Sequence, residues 1–155
     1  MRYRSTRGGA PEVTASEAMR RGLAPDGGLY VPTALPSFDP RAFDGLHTVA
    51  ELGAALLRPF FAGDPLEPEL GQVCAEAFDF PMPLRPVSHP TARLLELFWG
   101  PTAAFKDFGA RFLARAMSRG STAPLRIVVA TSGDTGGAVA AAFSRVPNVD
   151  VIVLD

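Results

Sequence analysis

Residues 125–155 read LRIVVATSGDTGGAVAAAFSRVPNVDVIVLD, and the order of their parts decides the fold class. LRIVVA and VDVIVLD are short β-branched apolar runs of the kind that form strands covered on both faces, and TGGAVAAAFSRV between them has the composition of a helix. Strand, helix, strand is the unit of a parallel sheet with a crossover helix. Toward the amino terminus, DFGARFLARAMSRG (107–120) reads as a helix ending near Gly120, and RLLELFW (93–99) as a further apolar strand. Strands near 93–98, 125–130 and 149–154 are therefore expected in one parallel sheet. Ligands of such sheets bind beyond the carboxyl ends of the strands. The segments GPTAAFK (100–106) and TSGDTGG (131–137) each follow a strand and precede a helix, so both are expected on that edge.

Upstream the grammar is different. Fifteen of the 155 residues are proline, against a usual level of about 5%, and most fall between residues 25 and 101. Loops and short helices are expected there. Asp26-Gly27-Gly28 reads as a turn, Leu29 to Val31 as a short extended piece. Val49, Leu52, Leu56 and Phe60 have helical spacing behind Thr48 as N-cap, until Pro59 disturbs the run. Leu70, Val73, Cys74 and Ala77 mark a second helix by the same test. The chain is thus divided into a loop-rich, helical region at 1–90 and the start of an α/β region at 91–155, with no internal repeat.

Bulk properties exclude several functions. Fifteen Lys and Arg against sixteen Asp and Glu give a net charge of −1, and the basic residues are scattered, so neither nucleic acid nor anionic membrane is an expected partner. No run approaches the roughly 20 apolar residues that span a bilayer. The single cysteine, Cys74, cannot form an internal disulfide and fits a reducing, cytoplasmic setting. His47 and His89 lack ligand spacing, and no metal site is expected.

Chemistry is expected at two places. The loop ATSGDTGGAVA (130–140) joins glycines, which allow close backbone approach, to a helix start whose free N–H groups attract anions. It lacks both the Gly-Lys-Ser/Thr of a P-loop and the spacing of a dinucleotide fingerprint. Taken alone, it fits equally well a strand-to-helix turn capped by Asp134 or Thr135. Lys106 stands where the Gly-Pro stretch turns into a helix, and a cation in a first turn faces the positive end of the helix dipole. An amine placed there against electrostatic preference suits nucleophilic chemistry with a carbonyl. Position alone favours a solvated surface lysine beside Phe105, Phe108 and Phe112 as ordinary core, and Asp107 is expected either to offset the effect of the surroundings on the amine or to serve as an N-terminal helix charge.

Together the stretches LELFWGPTAAFKDFGARFLA (95–114) and ATSGDTGGAVA resemble the pyridoxal-phosphate lysine region and substrate loop of the threonine synthase family. YRSTRG (3–8) and APDGGLYVP (24–32) resemble that family's opening motifs. The resemblance implies an α/β fold-type II architecture like that of tryptophan synthase β, pyridoxal 5′-phosphate as cofactor, and conversion of O-phospho-L-homoserine and water to L-threonine and phosphate. By position it assigns Lys106 as the lysine that binds the cofactor covalently. It assigns Thr131, Ser132, Gly133, Asp134 and Thr135 to the substrate carboxylate, and Asp134 also to the cofactor. Trp99 departs from the histidine of that motif. Family members are several hundred residues long, so the resemblance implies an N-terminal portion whose partner is the rest of the same enzyme. Two readings stand beside it: another fold-type II enzyme such as a serine or threonine dehydratase, and a non-catalytic binding protein retaining part of the fold.

Overall fold

The computed structural model describes residues 1–119, 124–131, 133–144 and 146–154. The chain forms two compact units, Met1–Ala75 and Glu76–Asp155.

In the first unit, β1 (Tyr3–Ser5) pairs antiparallel with β2 (Tyr30–Pro32), Tyr3 opposite Pro32 and Ser5 opposite Tyr30. The anticipated turn at Asp26-Gly27-Gly28 leads into β2. Gly27 has φ +76°, which favours glycine. A side chain at Gly28 would overlap the Ser5 hydroxyl. Around it the Asp26 carboxylate accepts from Ser5 Oγ at 2.7 Å, Gly9 N at 2.8 Å and Gly28 N at 2.9 Å. Helix α1 (Ala15–Arg21) was not anticipated. Its Thr14 cap accepts from Glu17 N, and Glu17 in turn pairs with Arg20 and Arg21. The buried Asp64 ties down the same helix start, accepting from Ser16 N at 2.8 Å, from the Ser16 hydroxyl, and from Leu66 N at 2.9 Å.

Helix α2 (Val49–Leu57) starts as expected at Thr48 and carries a reciprocal cap. Glu51 N donates to Thr48 Oγ1 at 3.1 Å and Thr48 N to Glu51 Oε2 at 2.9 Å. Pro59 converts its continuation into a 3₁₀ turn, Arg58–Phe61. Helix α3 (Leu70–Ala77) buries Leu70, Val73, Cys74 and Ala77 completely, as their spacing predicts.

The second unit corrects one expectation. Residues 93–98 do not join the parallel sheet: β4 (Arg93–Leu95) pairs antiparallel with β3 (Leu84–Pro86), Leu84 opposite Leu95 and Pro86 opposite Arg93. A short apolar run specifies a strand but not its partner, and closing a short local loop costs less entropy than a distant pairing. The parallel sheet of the described residues consists of β5 (Leu125–Ala130) and β6 (Val149–Leu154), in register from Leu125–Val149 to Ala130–Leu154. Helix α5 (Asp134–Phe143) makes the crossover, and α4 (Lys106–Ser118) precedes β5.

Small residues let these elements approach closely. Ala110 and Ala114 of α4 share one buried cluster with Ala138, Ala142 and Phe143 of α5 and with Val146, and Ile127, Val149 and Val151 of the strands pack against it. On α4, Phe108 and Phe112 meet Phe78 and Phe80 at ring separations of 4.8 to 6.1 Å, the core role that aromatic spacing suggests. Arg111 caps the end of α3, donating to Ala77 O at 2.8 Å and Glu76 O at 2.9 Å.

Candidate functional site

Lys106 is the only lysine of the chain, beside fourteen arginines. Arginine keeps its proton at any ordinary pH, so Lys106 carries the one side-chain amine capable of condensing with a carbonyl. This count is a sequence signal that the motif reading passed over. Lys106 is the first residue of α4 and half-buried. Its Nζ lies 4.4 Å from the centroid of the Phe105 ring, a cation–π distance. Among the described residues no carboxylate pairs with this ammonium. The aromatic face covers one side of the lysine side chain.

The loop before α4 is shaped by Asp107. Ala103 N donates to Gly100 O at 3.1 Å, closing a turn in which Ala103 takes φ +56°, a left-handed conformation uncommon for a residue with a side chain. The Asp107 carboxylate, 1% exposed, accepts from Thr102 N at 2.9 Å and from Thr102 Oγ1 at 2.8 Å. A Cβ on Gly100 would lie 2.7 Å from that of Asp107, so glycine is the residue that fits. Asp107 is more than the solvated helix charge that its sequence position suggests. The spacing Gly100, Thr102, Asp107 holds the signal, but only the turn reveals it. Trp99 donates from Nε1 to Glu96 Oε2 at 2.8 Å and stacks on Phe98.

The second loop leaves β5 at its carboxyl end, as expected. Thr131 N donates to Leu154 O at 2.9 Å, prolonging the ladder by one bond, and Gly133 N donates to Thr131 Oγ1 at 3.3 Å. Ser132 lies outside the described residues. Gly133 is the N-cap of α5, no side chain among the described residues caps the helix, and Asp134 is its exposed first residue. The alternative in which Asp134 or Thr135 caps the helix is therefore not what the structure shows. The glycines divide their work. A Cβ on Gly136 would come within 2.7 Å of Thr131 Cγ2 and 3.0 Å of Val153 Cγ1, so Gly136 seats the helix on the strands, whereas Gly133 and Gly137 face open space. Gly133 N and Gly136 N are already bonded, to Thr131 Oγ1 and Gly133 O, so an anion at this helix start would be met by the N–H groups of the turn between them.

Because β4 lies outside the parallel sheet, the two loops do not share an edge of one sheet. What relates them is helix packing: each opens a helix, α4 or α5, and the two helices meet through the alanines of the common cluster. No helix among the described residues is long and apolar enough to cross a membrane.

The family described as "Threonine synthase N terminus" matches residues 2–78. A threonine synthase of Escherichia coli strain K12 is 40% identical over 146 residues, covering 92% of this chain and 34% of that enzyme. One from Serratia marcescens is 38% identical with the same coverage. Among solved structures, a PLP-bound threonine synthase from Brucella melitensis aligns with a TM-score of 0.87 at 40% identity, covering 99% of this chain and 35% of that one. The chain spans about a third of the length of the curated relatives it matches.

Proposed function

The chain belongs to the threonine synthase family, of which it matches the N-terminal portion, and from that premise we propose that it supplies the cofactor lysine and the carboxylate loop of an enzyme converting O-phospho-L-homoserine and water to L-threonine and phosphate. The observation that carries this reading is the environment of Lys106: the sole lysine of these 155 residues, half-buried against Phe105 with no carboxylate partner among the described residues, on a helix packed against a second helix that opens on Gly133. Those residues suit pyridoxal 5′-phosphate, the ligand named for the Brucella melitensis neighbour. When bound, this cofactor supplies an electron sink for the substrate's reacting carbons.

The chain's own residues have separate tasks. Lys106 would hold the cofactor covalently through its amine, and the same amine would carry protons to and from the reacting carbons of the substrate. Phosphate would leave from the γ carbon, which takes up a proton to become the methyl group, and water would add its hydroxyl at the β carbon, which gives up a proton, the other proton of water passing to the phosphate. The loop Thr131 to Thr135 receives the substrate carboxylate: the uncapped N–H groups of α5 supply charge-oriented donors, and the hydroxyls of Thr131, Ser132 and Thr135 add to them. Asp134 is assigned to the cofactor as well as to this loop. Fixing the carboxylate at one end orients the α carbon toward Lys106, and that orientation gives the proton transfers their rate. The rest of a family-length enzyme supplies the cofactor's phosphate grip.

The test uses the enzyme of family length that carries this sequence. Borohydride reduction followed by peptide mapping is expected to place the cofactor on Lys106, and Lys106→Ala to abolish both that adduct and threonine formation. Reduced cofactor on a different lysine would overturn the assignment.

A further inference from the structure

The buried carboxylate of Asp107 has no cation beside it among the described residues. Removing a charge from water without a paired cation is costly, and here the positive end of α4 and two hydrogen bonds offset that cost. Both its oxygens serve one residue, Thr102, five positions earlier. The carboxylate thereby ties the chain across a short chord, and within that chord stand the left-handed Ala103 and the half-buried Lys106. An unfavourable backbone conformation persists only where its surroundings over-determine it. Here the surroundings are the two bonds to Asp107, the Gly100–Ala103 turn, and a glycine at 100 whose missing side chain leaves room for the carboxylate.

We propose that Asp107 is a positioning residue for the Lys106 amine. By holding residues 100–105 in a bent form that the chain would otherwise leave, it sets the point and direction from which α4 presents its first side chain. This rests on the reading of Lys106 as the cofactor lysine. Releasing the chord lets Ala103 relax to an ordinary conformation and moves the start of the helix, so the amine loses its aim while the rest of α4, anchored by Ala110 and Ala114, stays in place.

The experiment follows three variants of the family-length enzyme: Asp107→Ala, Asp107→Asn and Thr102→Val. In Asp107→Asn the amide oxygen still accepts from Thr102 N, and the amide nitrogen donates to the hydroxyl, so both contacts survive without the charge. Two quantities are read on each: the rate at which pyridoxal phosphate added to the cofactor-free enzyme becomes fixable to Lys106 by borohydride, and the split between kcat and KM. A misplacement near 1 Å costs about a hundredfold in rate, so Asp107→Ala is expected to attach the cofactor about a hundredfold more slowly and to lose kcat by a similar factor with KM little changed. Thr102→Val, which deletes one of the two bonds, is expected to show the same pattern at about tenfold. Asp107→Asn is expected to recover most of both. If Asp107→Ala does not fold, Thr102→Val decides alone. A helix cap with no positioning role predicts a lower melting temperature but unchanged attachment rate and kcat below it, and that outcome overturns the proposal. Failure of the underlying reading is a separate result, visible in the unsubstituted enzyme as reduced cofactor on another lysine.

Discussion

Cys74 shows how far a single residue's chemistry is set by its place. Its thiol is fully buried in α3, and burial pushes its pKa up to about 11, so almost none of the reactive thiolate exists near neutrality. A thiol-specific alkylating reagent is expected to leave the folded protein unlabelled at pH 8 and to label it fully in denaturant; rapid labelling of the native protein, followed by mass spectrometry, would contradict this placement. The helical spacing of Leu70, Val73, Cys74 and Ala77 already pointed to such a core position. Lys106 and Asp107 differ in this respect. The motif singled out the lysine, but the work of Asp107 depends on a turn with a left-handed alanine, and local patterns do not encode which residue will tolerate that strain.

At the scale of elements, helices with strong end signals were legible and partner choice was not. Thr48 announces α2 and Pro59 stops it, while Glu51, three residues on, completes the cap in the structure. Thr48→Ala breaks that reciprocal cap and is expected to lower stability by about 1 kcal/mol, measurable as a shift in the denaturant midpoint with an unchanged slope. Thr14 and Glu17 carry the same spacing before α1, but seven residues give too little periodicity for the pattern to stand out from a glycine- and proline-rich background. The parallel pairing of β5 and β6 followed from the helix between them, since a crossover forces the strands to run the same way. Nothing comparable constrained β4, whose hairpin with β3 is a matter of proximity along the chain. The TSGDTGG segment follows β5 and opens α5, as its place between an apolar run and a helical one predicts. Its glycines were read together as serving a ligand, although Gly136 serves packing.

At the scale of the molecule, acid sensitivity should concentrate in the first unit. Asp26 lies below the usual carboxylate range because Ser5, Gly28 and Gly9 donate to it. For Asp64 burial pushes the other way, yet donors from Ser16, Leu66 and Thr14 outweigh it and the net direction is also downward. A carboxyl held lower in the folded than in the unfolded state contributes stability above its unfolded pKa, near 4, and loses it as pH falls through the folded value. The melting temperature is therefore expected to drop below about pH 4, and Asp64→Asn to flatten that drop while lowering stability at neutral pH. An acid limb of unchanged steepness in Asp64→Asn would show that the stabilising carboxylates lie elsewhere.

The outer face of the β5–β6 pair carries Val128, 57% exposed, with Ile152 and Leu154 at 40% and 51%, although parallel strands are ordinarily covered on both sides. In a polypeptide of family length that face emerges from the ribosome well before the remaining two thirds. At roughly 5 to 20 residues per second, translation would leave it uncovered for on the order of tens of seconds. During that interval the same three side chains stand as an exposed apolar patch, the kind of surface on which a partly made chain is prone to associate.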